Sequence, residues 1–263
     1  MKFAWVTDLH LGHAVSNPAH LKVFYSQFSQ VDGVFITGDI SESLRLPYYL
    51  DQLEEKIQKP IYFVLGNHDF YRGSIVEVRI QTATHCEPAR FLRYLHPEGV
   101  VDLNGTALIG VDGWADTRAG DYENSGVDIA DYYYIADFLN KSHAQRGRVM
   151  KTLADDAAKI VREKLLDAVK NYKKVVLLIH QPPYAEACWH EGHLSDSEWQ
   201  PHFTCVAVGQ VLSEVMKKNP DCHLVVYCGH THSGGYVKVL PNLEVFTGKA
   251  VYGFPEIQKI VEI

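Results

Sequence analysis

Of the residues that cross-link small proteins this chain has few: five cysteines, Cys86, Cys188, Cys205, Cys222 and Cys228, odd in number, widely spaced and without a C-x-x-C pair. That spacing fits neither a disulfide framework nor a zinc ribbon, so reduced thiols are expected. Basic residues are also in deficit. Lys and Arg number 25 against 32 Asp and Glu, a formal charge of −7, which argues against bulk nucleic-acid binding because that needs cations along the phosphate track. A local positive site is not excluded. No apolar run is long enough to span a bilayer, and "MKFAWVTDLHLGH" carries no signal-type apolar region before its polar residues. A soluble cytoplasmic protein with no membrane contact is the expectation. Repeats, low-complexity tracts and linkers are lacking too, so residues 1–263 are expected to form a single domain.

What is present is a globular composition, 46% hydrophobic and 22% charged over 263 residues, enough for one large α/β core. Apolar runs at Lys2 to Asp8, Gly33 to Asp39 and Pro60 to Asn67 read as strands, and Asn17 to Phe28 and Pro47 to Gln58 read as helices between them. This β-α-β-α-β order implies a mostly parallel, buried sheet. Gly99 to Trp114 then reads as two strands around the Asn104-Gly105 turn, the start of a second sheet or an antiparallel edge. A long amphipathic helix is expected over Arg146 to Lys174, a strand over Lys174 to Tyr184, a helix over Cys205 to Asn219, a strand over His223 to Gly235 and a β-rich tail.

Five apolar strands finish alike: "WVTDLH", "FITGD", "FVLGNHD", "LLIH" and "VVYCGHTH". The carboxyl ends of strands in an open parallel sheet face one crevice, so these polar residues can converge. Asp8, His10, Asp39, Asn67, His180, His230 and His232 supply two carboxylates, an amide oxygen and four imidazoles. That mixture suits Mn, Fe, Zn, Co or Ni better than Ca²⁺ or a thiolate-bound zinc. Seven ligands exceed the need of one ion, whereas two ions sharing one carboxylate would use them all and keep positions for water and substrate. Asp8/His10 and His230/His232 are i, i+2 pairs, which an extended chain holds on one side. Gly38, Gly66 and Gly229 each precede a ligand, where a missing side chain lets the backbone approach closely.

"DLH" at Asp8 to His10, "GD" at Gly38-Asp39, "GNHD" at Gly66 to Asp69, the lone His180 and "GHTH" at Gly229 to His232 resemble the five ordered motifs of the calcineurin-like metallophosphoesterase superfamily. The resemblance implies a four-layer α/β/β/α sandwich with two divalent ions between the sheet edges. It places Asp8, His10 and His232 on one ion, Asn67, His180 and His230 on the other, and Asp39 between them. It also implies His68 beside the substrate as proton donor, with Asp69 orienting its imidazole. The implied activity is phosphate-ester hydrolysis by in-line attack of a metal-bound hydroxide. A small-molecule or nucleotide phosphodiesterase is the leading expectation, with a phosphomonoesterase, a nuclease and a non-catalytic scaffold as the alternatives. Glu42 stands three residues after Asp39, where purple acid phosphatases have a tyrosine, and "GDISES" lacks the Val-Asp-Arg-Gly continuation of serine/threonine protein phosphatases. Neither subgroup fits.

Further candidates surround these motifs. Arg72 after "NHDFY" is a candidate for a substrate phosphate, and His190 and His193 in "CWHEGHLSDSEW" for a cap over the site. The acidic, aromatic stretch from Asp112 to Phe138, with Trp114 and Tyr132-Tyr133-Tyr134, is long enough to shape specificity. Lids or insertions are therefore expected around 112–148 and 185–204.

Overall fold

Alternation within the first strand already separates two faces. Phe3 and Trp5 join one buried cluster, Ala4 and Val6 another, as a period of two requires of a strand covered on both sides. The computed structural model describes residues 1–263. In chain order its elements are β1 (Lys2–Val6), α1 (Leu11–Ala14), α2 (Pro18–Gln27), β2 (Gly33–Thr37), α3 (Leu46–Ile57), β3 (Ile61–Val64), α4 (Ile75–Cys86) and β4 (Leu92–Tyr94). Next come β5 (Val101–Leu103), β6 (Thr106–Gly110), α5 (Asp131–Tyr134), α6 (His143–Asn171), β7 (Lys174–Leu178), β8 (Trp189–His190) and β9 (His193–Leu194). The chain closes with α7 (Gln200–Phe203), α8 (Val206–Lys218), β10 (His223–Cys228), β11 (Gly235–Leu240), β12 (Leu243–Thr247) and β13 (Lys259–Glu262).

Two sheets result. One has the order β13-β1-β2-β3-β4 and the other β11-β12-β10-β7-β6-β5, and only the edge strands β13, β11 and β5 run antiparallel to their neighbours. Three cores lie between four layers. Phe3, Phe35, Val64, Leu108, Val176 and Tyr227 fill the space between the sheets. Outside the first sheet, Phe24 of α2, Phe28 just after it, Leu50 and Leu53 of α3 and Val78 of α4 pack on Val34, Ile36 and Phe63. Outside the second, Val161 and Leu165 of α6 and Val208 and Leu212 of α8 pack on Val175, Leu177 and Val226. Each such side chain, taken fully from water, contributes about 1.5–3 kcal/mol. This is the α/β/β/α sandwich.

Local chemistry sets the ends of these elements. Asn17 caps α2 with Pro18 at its first turn, and Ser142 and Gln145 close a reciprocal capping box at the start of α6. Asn104 and Gly105 take positive φ, 55° and 91°, as the tight turn between β5 and β6 requires. The strands β2, β3 and β7 stop two to three residues short of the candidate ligands, so those ligands sit on loops instead of strand ends. Within the segment expected as a first lid, Trp114, Tyr132, Ile135 and Phe138 are buried in the core outside the first sheet.

Candidate metal centre

Asp8 and His10 follow β1, Asp39 follows β2, Asn67 follows β3, His180 follows β7, and His230 and His232 follow β10. An extended chain is not what brings them together. Asp8, His10, Asp39, His230 and His232 all have positive φ, between 40° and 76°, so each ligand pair turns inward through left-handed backbone. That region costs a residue with a Cβ about 1–2 kcal/mol, and such strain gathers where a site needs it. Space is equally tight. A Cβ on Gly66 would run into the Asp39 carboxylate and the His180 ring, and one on Gly229 into Thr7 and Asp8.

The polar atoms form two groups. Asp8, His10, Asp39 and His232 each offer one atom within 4.8 Å of the others. Nε2 of His10 lies 3.1 Å from Nε2 of His232 and 3.7 Å from Asp39 Oδ2, while His232 Nε2 lies 3.4 Å from Asp8 Oδ1. On the other side of Asp39, Oδ1 is 3.4 Å from His180 Nε2. Asn67 Oδ1 is 3.0 Å from that same nitrogen and 2.9 Å from His230 Nδ1. Asp39 thus presents one oxygen to each group.

Proton positions follow from the remaining partners. His180 Nδ1 faces the Thr37 carbonyl at 2.7 Å and His230 Nε2 faces the His202 carbonyl at 3.3 Å; a carbonyl only accepts, so a neutral ring keeps its proton there. Asn67 Nδ2 donates to Asp131 Oδ1 at 2.8 Å, which turns the amide oxygen inward. With both rings neutral, lone pairs of Asp39, Asn67, His180 and His230 meet with no hydrogen between them, and a cation fits such a set.

Charge agrees with this. Burial works against a charge on His180, yet Asp39 and Asp8 hold its ring up at about 10, so the surroundings favour positive charge at Nε2. Burial likewise resists ionisation of Asp8, but the His232 hydrogen bond and the charge of His180 bring it down to about 2. Burial takes His10 and His230 down to about 3, leaving them neutral as metal ligands must be. Carboxylate, amide and imidazole together suit an intermediate divalent metal.

His68 stands beside the groups. Its Nε2 is 4.0 Å from Asp39 Oδ2, its amide donates to Asp39 Oδ1 at 2.9 Å, and its ring stacks on Tyr71 with centroids 4.3 Å apart. Asp69 does not orient this imidazole. Its carboxylate accepts from the amides of Ile40, Ser41 and Gly66 at 2.8–2.9 Å, tying the loops after β2 and β3 together. Tyr71 is the ring that positions His68, and its hydroxyl donates to Asp131 at 2.8 Å.

Two clefts flank His68. One, about 470 Å³, is lined by His10, His13, Glu42, Arg45 and Arg72; the other, about 350 Å³, by Asp131, His190, Trp199, Phe203 and Tyr252. Arg72 and His190 therefore reach the site. Trp114 does not, being only 2% exposed between Phe70 and Phe138. Nor does His193, which is exposed on the β8–β9 hairpin and borders neither cleft. A larger cavity of about 750 Å³ beside α8 holds none of the candidate ligands. Sequence reasoning missed Asp131 and Tyr252. Asp131 was one acid in an acidic stretch, and Tyr252, whose ring lies 4.5 Å from that of His10 and 5.0 Å from that of His232, belongs to no motif.

The sequence pattern described as calcineurin-like phosphoesterase matches residues 1–234, and the chain belongs to that family. Its sandwich resembles the phosphopantetheinyl hydrolase of Mycobacterium tuberculosis, with a TM-score of 0.67 at 13% identity over 97% of this chain and 95% of that one. A dimetal phosphatase from Danio rerio aligns with a TM-score of 0.55 at 14% identity over 96% and 88%. GAP50, the anchor in the inner membrane complex of Plasmodium, aligns with 0.53 at 14% over 95% and 71%. Identities this low carry the fold alone. No curated protein is a significant sequence match. The chain is a metallophosphoesterase, a hydrolase of phosphoric esters, and the Asp/His cluster is its candidate divalent metal site. No helix is long and apolar enough to cross a membrane.

Proposed function

We propose that the chain is a bimetal phosphodiesterase acting on a small-molecule or nucleotide diester in the cytoplasm, with its loops at 128–134 and 188–203 bordering the site of one catalytic domain. The observation that carries the diester reading is the pair of clefts on either side of His68. A diester has an arm for each cleft, whereas a monoester would fill only one. The five unpaired cysteines, four of them buried, support the location.

Asp8, His10, Asp39 and His232 would hold one ion and Asp39, Asn67, His180 and His230 the other, with Asp39 giving an oxygen to each. When bound, such ions polarise phosphoryl oxygens and lower the pKa of water toward about 7. Mn²⁺ is the first choice for reconstitution. The chain's own residues do the rest. Neutral Asn67 keeps the centre from being over-neutralised, so an anionic phosphate is drawn in. As a water oxygen bonds to phosphorus and the bond to one arm breaks, His68 Nε2 gives its proton to the departing oxygen, an effect worth about 100 to 10,000-fold. Tyr71 holds the imidazole flat against its own ring for that transfer.

The experiment is hydrolysis of a chromogenic diester and the matching monoester by protein stripped of metal and reloaded with Mn²⁺. Metal-dependent turnover of the diester in clear preference supports the reading. Preference for the monoester overturns it.

A further inference from the structure

The two clefts differ in charge. Asp128 and Asp131 stand around the aromatic one, with no Lys or Arg. Arg45 and Arg72 stand around the other, with only Glu42 against them, in a chain whose formal charge is −7. Nε of Arg72 donates to Glu42 at 2.7 Å, and its guanidinium lies 5.6 Å over the Tyr134 ring. Its amide donates to the Tyr134 carbonyl at 2.6 Å from left-handed backbone, φ 68°. The ion pair and the ring contact orient a guanidinium whose side chain is 54% exposed and leave both terminal nitrogens without a protein partner. Arg45 has no ion pair. His10 and His68 border the same cleft, so an anion held by the arginines adjoins the candidate metal centre. Solvated arginines are common on surfaces. A pinned one, sharing a cleft with His68, asks for a ligand.

Resting on the diesterase reading, we infer that this cleft is a second anion site for a phosphate carried on one arm of the substrate. The scissile phosphate then lies at the metal centre and the other arm among Trp199, Phe203 and Tyr252. The substrate class is a phosphodiester with a further terminal phosphate on one arm. Guanidinium groups match phosphate oxygens in geometry as well as charge. Charge-assisted hydrogen bonds of this kind are worth about tenfold or more in binding.

The test uses metal-loaded protein and two chromogenic diesters, thymidine 5′-(4-nitrophenyl phosphate) with and without a 3′-phosphate. The 3′-phosphorylated ester is expected to have a kcat/KM about tenfold higher, chiefly through KM. In the double variant Arg45→Ala, Arg72→Ala the ratio between the two esters falls toward unity, and in Arg45→Lys, Arg72→Lys it is partly restored. Equal kcat/KM for the two esters in the unmodified protein, or an undiminished ratio in the alanine variant, overturns the inference. Equilibrium dialysis of thymidine 3′,5′-bisphosphate against thymidine 5′-phosphate separates the two readings. Tighter, arginine-dependent binding of the bisphosphate without turnover of any diester keeps the anion site and sinks the diesterase. Equal binding of both nucleotides sinks the anion site whatever the turnover.

Discussion

Asn67 and Asp131 are joined by a 2.8 Å hydrogen bond from amide Nδ2 to carboxylate Oδ1, and the same oxygen accepts from Tyr71 at 2.8 Å. One buried carboxylate on α5 therefore sets two things: which end of the Asn67 amide faces the candidate metal, and where the ring under His68 lies. Outer partners of this kind typically change metal affinity by about 10 to 100-fold when removed. Asp131→Ala is expected to weaken binding of the more loosely held ion by that factor while the fold is retained. Titration of the stripped protein with Co²⁺, followed by its absorption, reads this directly. Unchanged affinity would reduce Asp131 to a packing residue.

His68 touches Asp39 only through its backbone amide and at 4.0 Å through its ring, outside both ligand groups. His68→Ala is accordingly expected to keep its metal content and lose about 100 to 10,000-fold in turnover. Metal analysis beside the rate decides it. Loss of metal in proportion to activity would make His68 a ligand.

Gly66 allows the loop after β3 to pass against the centre. A methyl there would meet Asp39 and His180 at once, and overpacking of this kind costs about 1–3 kcal/mol. Gly66→Ala is expected to lower thermal stability and to abolish high-affinity metal binding. Gly99→Ala, where a Cβ meets nothing within 4 Å, should change neither. A Gly66→Ala protein with native metal affinity would mean that the loop can yield without disturbing its ligands.

The strands and helices that carry the site were legible because their signals are local. β1, β2, β3, β7 and β10 are runs of buried β-branched and aromatic residues, and α6 shows apolar positions three and four apart with a capping box before them. Helix α4 was not read. Its sequence IVEVRIQTATHC is crowded with β-branched residues, and Val76 and Ile80 are 63% and 61% exposed, so the apolar stripe that marks a helix is blurred. The candidate ligands could be collected from strand ends because a parallel sheet brings those ends together. The left-handed turns that aim them, and the recruitment of Asp131 from a segment more than sixty residues past Asn67, depend on contacts distant in sequence. Asp69 was misread for a related reason. Adjacency to His68 suggested a partner, but the carboxylate is directed to three amides of the strand-end loops.

Acid should weaken the fold through Asp112. It is fully buried; Oδ1 accepts from the Leu65 amide at 2.9 Å, and Oδ2 accepts from Arg79 at 2.8 Å and Tyr94 at 2.7 Å. Its carbonyl also receives the His180 amide at 3.0 Å, so this residue braces a candidate ligand from behind. Burial raises the carboxyl's pKa, but His96 and Arg79 beside it lower it further, for a net shift below the ordinary value. A depressed pKa means that the unfolded chain takes up the proton first. The stabilisation is therefore complete above the unfolded value of about 3.9 and is lost as pH falls below it through the folded value. Asp112→Asn leaves Arg79 without its anion and is expected to cost about 3 kcal/mol at neutral pH. Urea unfolding of both proteins should show that gap closing as the pH is lowered below about 4. A gap that stays constant through the acid range would show that the Asp112 charge contributes nothing and that the loss comes from an amide donor set against Arg79 and Tyr94.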